Sequence, residues 1–153
     1  MAEQRAGVKY AYADCRRYAS LSNMTIRGTV KIWDTNLIST AMLWAKQYNN
    51  QVLDKFIDLV YLPFWKRQLD IDDISLIEGL LDNAGAEGSK FSDWANREDF
   101  AINQKIEDDA FDAGIYGVSA YIVDEQMYFR REHQPRVRWQ LGDQSKHCLY
   151  TAR

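Results

Sequence analysis

Few side chains in this sequence can carry chemistry, and their spacing narrows what they can do. Cys15 and Cys148 lie near opposite ends of the chain. They form neither a C-x-x-C pair nor a zinc spacing, so both read as reduced thiols. Cys15 falls inside a helical stretch with no activating partner close in sequence, so a structural thiol outweighs a nucleophile there. His133 and His147 have no carboxylate or second histidine at ligand spacing, which argues for surface histidines and against a metal site. Arg131 and Glu132 stand together where a helical stretch begins. They can take the carboxylate and the amine of a ligand; the plainer alternative is that Glu132 complements the helix dipole and Arg131 is solvated. Arg130, Arg131, Arg136 and Arg138 form a basic cluster, either for an anion or as a solvated face. Trp33, Trp44, Tyr48, Tyr61, Phe64 and Trp65 either line a hydrophobic pocket or are the ordinary core of packed helices.

The elements that must position these residues are mostly helical. Large side chains recur from Val8 to Leu21, with Asn23 as the stop. Met24 to Trp33 carries β-branched residues around Gly28 and reads as an extended connection. Asp34 and Thr35 are suitable N-cap residues for the apolar stripe Leu37, Ile38, Ala41, Met42, Trp44, Ala45 and Tyr48, which Asn49-Asn50 interrupts. Val52 to Phe64 continues at three- and four-residue steps, with Pro63 expected to bend or loosen the helix. An acidic turn, Asp70 to Asp73, caps a helix from Ile74 to Leu81, which Gly85 stops. A short helix over 91–95 and a longer one over 99–113 are expected next. After Gly114-Ile115-Tyr116-Gly117 the period changes: Val118 to Val123 and Met127 to Phe129 flank Asp124-Glu125 as a β-hairpin. A last helix runs from Glu132 to Leu141, with Pro135 in its first turn.

Length and composition bound the function. With 153 residues, 46% hydrophobic and 13% aromatic, the chain has material for one packed domain and is not disordered. No apolar run approaches the ~18 residues of a spanning helix, so no membrane is expected. A net charge of −3 supplies no field for a nucleic-acid backbone, so nucleic acid is not an expected partner. The first seven residues lack the apolar core of a signal peptide, and a cytoplasmic home is expected by default.

The wording of the C-terminal third points further. The run Asp109 to Asp124 (DAFDAGIYGVSAYIVD) resembles the A-x-x-x-G-V/I-F/Y-G-V-P-T/S-F/Y-V/I-V-D segment of the 2-hydroxychromene-2-carboxylate isomerases and kappa-class glutathione transferases, the glutathione-using branch of the DsbA-like thioredoxin superfamily. Tyr128 to Trp139 is similar to that family's F-F/W-G-x-D/E-R/H-L-P stretch. Tyr12 to Ala19 resembles its Y-x-x-x-D-x-x-R-x-A helix within a gap or two, and Phe64-Trp65 through Asp70-Ile71-Asp72-Asp73 its F-W-x-x-x-x-D-I-x-D turn. The resemblance implies an α+β, mostly helical chain: a truncated thioredoxin-like, DsbA-type fold. Within a single domain, residues 1–113 would be the helical insertion, 114–141 the thioredoxin-type ββα unit and 142–153 a tail.

The same resemblance implies glutathione as cofactor, bound through Val118, Ser119, Arg131 and Glu132, with a small aromatic or thiol ligand and isomerase, transferase or thiol–disulfide oxidoreductase chemistry. Three departures qualify it. The βαβ unit that opens the family's chain and carries its nucleophile has no counterpart in these residues, so no catalytic residue is assigned and impaired catalysis is expected. Ser119 replaces the family's cis-proline. A cis bond ahead of serine costs about 2.5–4 kcal/mol, so a trans Val118–Ser119 peptide is expected. Arg130 replaces a glycine. Two functions stand against each other: a glutathione-dependent enzyme family member, or a non-catalytic binding or oligomer subunit. For the second, the 118–123 strand would expose an edge and apolar faces that a homo-oligomer would cover.

Overall fold

The computed structural model describes residues 2–142, and the side chains of all of these except 2–5 and 97–101. Its described residues are mostly helical, with one two-stranded antiparallel sheet, an α+β composition. They divide into two compact units, one up to residue 103 and one from 104 onward.

In the first unit, helix α1 (Ala2–Leu21) begins earlier than the periodicity predicts and ends as expected, with Asn23 in the left-handed conformation at φ 55°. Helix α2 (Asn36–Tyr48) follows an extended connection, and the Asp34 carboxylate accepts from the Asn36 N–H at 2.9 Å. Asn49 is fully extended and caps helix α3 (Asn50–Trp65) by accepting from the Val52 N–H at 2.9 Å. That one residue both breaks α2 and starts α3, because its short side chain competes for backbone donors. Pro63 lies in the last turn of α3, where the Phe64 and Pro63 carbonyls that an α-helix would use further on accept from Arg67 and Gln68 instead. Pro63 thus sits within two residues of the helix end, where its missing N–H costs the helix one bond near its end rather than in its middle.

Asp73 caps helix α4 (Ile74–Ala84), accepting from the Ser75 and Leu76 N–H groups. Gly85, at φ 108°, closes it, with the Ala86 N–H reaching back to the Leu81 carbonyl. That is the glycine-terminated end in which a left-handed residue satisfies the last free carbonyls. Helices α2, α3 and α4 pack pairwise on one another. Between them lie Ile38, Ala41, Ala45, Phe56, Val60, Ile77 and Leu81, all buried, joined by Ile71 from the acidic turn and by Phe91 and Ala95. Small residues on α2 (Ala41 and Ala45, both fully buried) let Phe56 fill the space between helices.

One expectation needs correction. The two helices foreseen over 91–95 and 99–113 are a single helix, α5 (Phe91–Asp112), entered through a 3-10 turn at Gly88–Lys90. Nothing in Asn96–Glu98 can break a helix: there is neither glycine nor proline, so the apolar pattern weakens there without ending the helix.

In the second unit α5 ends on Gly114, at φ 79°, with the Ile115 N–H donating to the Ala110 carbonyl. Strands β1 (Ala120–Val123) and β2 (Gln126–Phe129) pair antiparallel, Ala120 opposite Phe129 and Val123 opposite Gln126. Asp124 and Glu125 both have positive φ, 50° and 61°. Two such residues make the turn whose twist matches a two-residue hairpin. Helix α6 (Gln134–Gln140) follows a 3-10 turn over Arg131–His133, with Pro135 in its first turn and Val137 buried.

Candidate functional site

The hairpin register decides where the four residues expected to bind glutathione fall. Gly117 precedes them and packs closely: a Cβ there would meet the edge of the Phe129 ring at 3.0 Å, so the ring would have to give by a few tenths of an ångström. Tyr116 packs on the same ring, centroids 4.9 Å apart. Beyond the last strand pair the ladder continues by one bond, the Arg130 N–H donating to the Ser119 carbonyl at 2.7 Å. Ser119 therefore lies across from Arg130, and Val118-Ser119 shares one end of the hairpin with Arg131-Glu132. Residues thirteen positions apart in sequence are brought together by strand pairing alone.

The Val118–Ser119 peptide is cis, a correction to the trans expectation. Local amide preference was the only guide the sequence offered, and the folded backbone at this end of the ladder does not follow it.

All four residues are exposed, Val118 at 92%. Among the described residues no backbone–backbone hydrogen bond engages Val118, which leaves its main chain available to an extended peptide as a strand would pair. Arg130 turns the chain with φ 71° and ψ 167°, a combination that glycine adopts freely and other residues adopt at a cost. From there the 3-10 turn presents Arg131 and Glu132, opposite charges on consecutive residues, ahead of α6. This arrangement can hold a zwitterionic end group. It contains no base poised on a nucleophile.

The basic cluster does not converge on one point. Arg130 stacks over the Phe129 ring at 5.2 Å and Arg136 over the Trp139 ring at 5.1 Å, so two of the four guanidinium groups are spent on aromatic faces. His133 packs near Tyr128, ring centroids 6.0 Å apart. Cys15 is exposed on α1, so it takes no part in packing as the structural-thiol reading required. His147, Cys148 and the rest of the expected tail from 143 lie outside the described residues.

The aromatic stripe divides. Trp44 sits between Tyr48 (5.7 Å) and Trp94 (5.2 Å), and its indole N–H donates to the Glu87 carbonyl while the Tyr48 hydroxyl accepts from the Glu87 N–H. That group is structural. Trp33 and Phe64 instead meet edge to face at 5.8 Å and line a cleft of about 310 Å³ with Arg67 and Asp70, beneath the connection that precedes α2.

Three residues that hold the connection over that cleft were not singled out from sequence; of them Arg67 also lines the cleft. Arg16 and Arg67 both donate to main-chain carbonyls of the 24–35 connection: Arg16 to Ile26 and Arg27, Arg67 to Arg27 and Gly28. Lys31 places its ammonium 4.2 Å from the Trp33 ring centroid and 2.6 Å from an Asp72 carboxylate oxygen. The hydrogen bond to Asp72 holds the Lys31 ammonium above the ordinary lysine value of 10.5; loss of solvation opposes it, and the negative charges of Asp72 and Asp70 add to the rise. The sequence did carry a signal for Lys31: it is the one charge inside Thr29-Val30-Lys31-Ile32-Trp33, otherwise β-branched or apolar.

Comparison of the chain with models of protein families, with curated proteins and with solved structures finds no match. Among the described residues no helix is long and apolar enough to cross a membrane.

Proposed function

We propose that this chain is a DsbA-like protein of the glutathione-using branch, a helical insertion followed by the terminal ββα unit, and that it binds a γ-glutamyl thiol peptide without turning it over. The observation that carries this reading is the backbone at Arg130. Where the resembled motif has glycine, the chain keeps a glycine conformation despite an arginine side chain. The hairpin register supports it by setting Val118-Ser119 beside Arg131-Glu132. Val118 pairs its backbone with the peptide, Arg131 takes the γ-glutamyl carboxylate and Glu132 the amine. With no activated thiol or hydroxyl at the site, these residues bind and orient only.

Amide NMR spectra recorded during titration with reduced glutathione test it. Shifts confined to 117–120 and 130–133 at millimolar ligand, lost in Glu132→Ala, are expected; unchanged spectra overturn the reading. Glutathione-dependent isomerase and disulfide-reductase assays should stay at background. Turnover that survives replacement of both Cys15 and Cys148 by serine would overturn the non-catalytic half.

A second reading, an oligomer subunit, is favoured by β1. Its only strand partner among the described residues is β2; Ile122 exposes 59% of its surface on it, and Val118, two residues ahead of the strand, exposes 92%. A second copy adding its own β1 to that edge, in a two-fold arrangement, is the proposed partner.

A further inference from the structure

The connection between α1 and α2 is held unequally along its length. Its first half is anchored: the Met24 N–H donates to the Ala19 carbonyl at 2.8 Å and the Arg27 N–H to the Trp65 carbonyl at 2.9 Å. Arg16 and Arg67 bind the carbonyls of 26, 27 and 28 from either side. At Gly28 the backbone takes φ 77°, and a Cβ would press on the Tyr12 ring at 3.2 Å. Beyond it, among the described residues, no backbone hydrogen bond ties 29–34 to another element. Thr29 to Ile32 bows out between Gly28 and Trp33, with Val30 66% and Ile32 100% exposed. What holds this half is the Lys31 side chain, lying on the Trp33 face with its ammonium on Asp72 at the turn before α4. The cleft behind it, about 310 Å³, is walled by Gly28, Thr29, Val30 and Trp33 on one side and by Phe64 and Arg67 on the other. That size lies at the lower end of small-molecule sites.

We propose that residues 29–32 are a hinged flap on this cleft, swinging from Gly28 and Trp33, and that the Lys31–Asp72 pair is its catch. The pair is solvent-exposed, so it is weak and screened by salt. The flap therefore opens often while the anchored half stays in place. A ligand entering the cleft meets a barrier set by one ion pair, and the occupied cleft favours whichever flap position contacts it better.

The test uses the full chain. Thermolysin cuts ahead of Val30 and Ile32, and when closing is fast its rate follows the open population. Asp72→Asn leaves Lys31 in place and keeps the backbone turn, whose Asp72 N–H donates to the Asp70 carboxylate. It should raise cleavage within 29–32 about threefold to fivefold, the range an exposed ion pair supports. Lys31→Gln, which removes the charge without adding a cleavage site, should do the same, and half-molar sodium chloride should accelerate the parent but neither variant. Apparent affinity for anilinonaphthalene sulfonate, a probe of cleft access, should rise by the same factor, since it scales with the competent fraction. Cleavage rates equal in parent and Asp72→Asn overturn the proposal, as does salt that accelerates all three alike. Were a variant to unfold, cutting would spread along the chain; the salt response of the parent, with its circular dichroism unchanged, then decides the matter by itself.

Discussion

Single positions in this molecule carry definite costs. Arg130 occupies glycine backbone space, so Arg130→Gly should stabilise the chain by about 1 kcal/mol: relief of roughly 1–3 kcal/mol of backbone strain, less the entropy of a freer unfolded chain and the stacking on Phe129. Thermal unfolding by circular dichroism checks it, and a lowered midpoint contradicts it. The opposite holds at Gly88, whose N–H donates to the Asp82 carboxylate at 2.7 Å while its α-carbon abuts the Glu78 carbonyl. A methyl group there has no room against main chain, so Gly88→Ala should cost about 1–3 kcal/mol in urea denaturation. Lys31 has a directional pH signature. Its ammonium is held above 10.5 in the folded chain, so its contribution is complete below that value and is lost as pH rises through the higher folded one. The catch is thus insensitive to pH across the neutral range and sensitive to salt.

At the scale of elements, the legible features were those whose signal is local. Asp73, Gly85, Asn23 and Gly114 each act through the backbone of the next few residues, so their types alone mark the ends of α4 and α1 and the exit from α5. Asp73→Ala should cost about 1 kcal/mol by freeing two N–H groups, read as a lower urea midpoint. The hairpin was legible for the same reason, although Glu125 is a poor residue for positive φ. Glu125→Gly should raise stability by about 1 kcal/mol, and the same thermal unfolding measurement is decisive. What the sequence did not disclose is non-local. The continuity of α5 is an exception, a local absence of any breaker at 96–98 where the apolar pattern fades. The union of Val118-Ser119 with Arg131-Glu132 depends on strand register, and the grip of Arg16 and Arg67 on residues 26–28 joins positions up to forty apart. No spacing rule reaches those.

For the whole molecule, the open side of β1 decides the assembly. If a second copy pairs there, sedimentation velocity at micromolar protein should give a dimer, and Ile122→Lys, which puts a charge on that exposed strand, should return it to monomer with little change in stability. A monomer in both removes the oligomer reading and leaves the binding site intact. The flap has a counterpart at this scale. Thr29-Val30-Lys31-Ile32-Trp33 is rich in β-branched residues and bends at Val30-Lys31, with two of its apolar side chains in water and no backbone hydrogen bond to another element among the described residues. Segments of that kind nucleate ordered aggregates when concentrated, and a lone charge within them is what keeps stacked copies apart. Lys31 is that charge. Its neutralisation, by substitution or by acylation of the amine, would shorten the lag before thioflavin-positive fibrils form in concentrated solution, so the colloidal lifetime of the protein rests on one ammonium group.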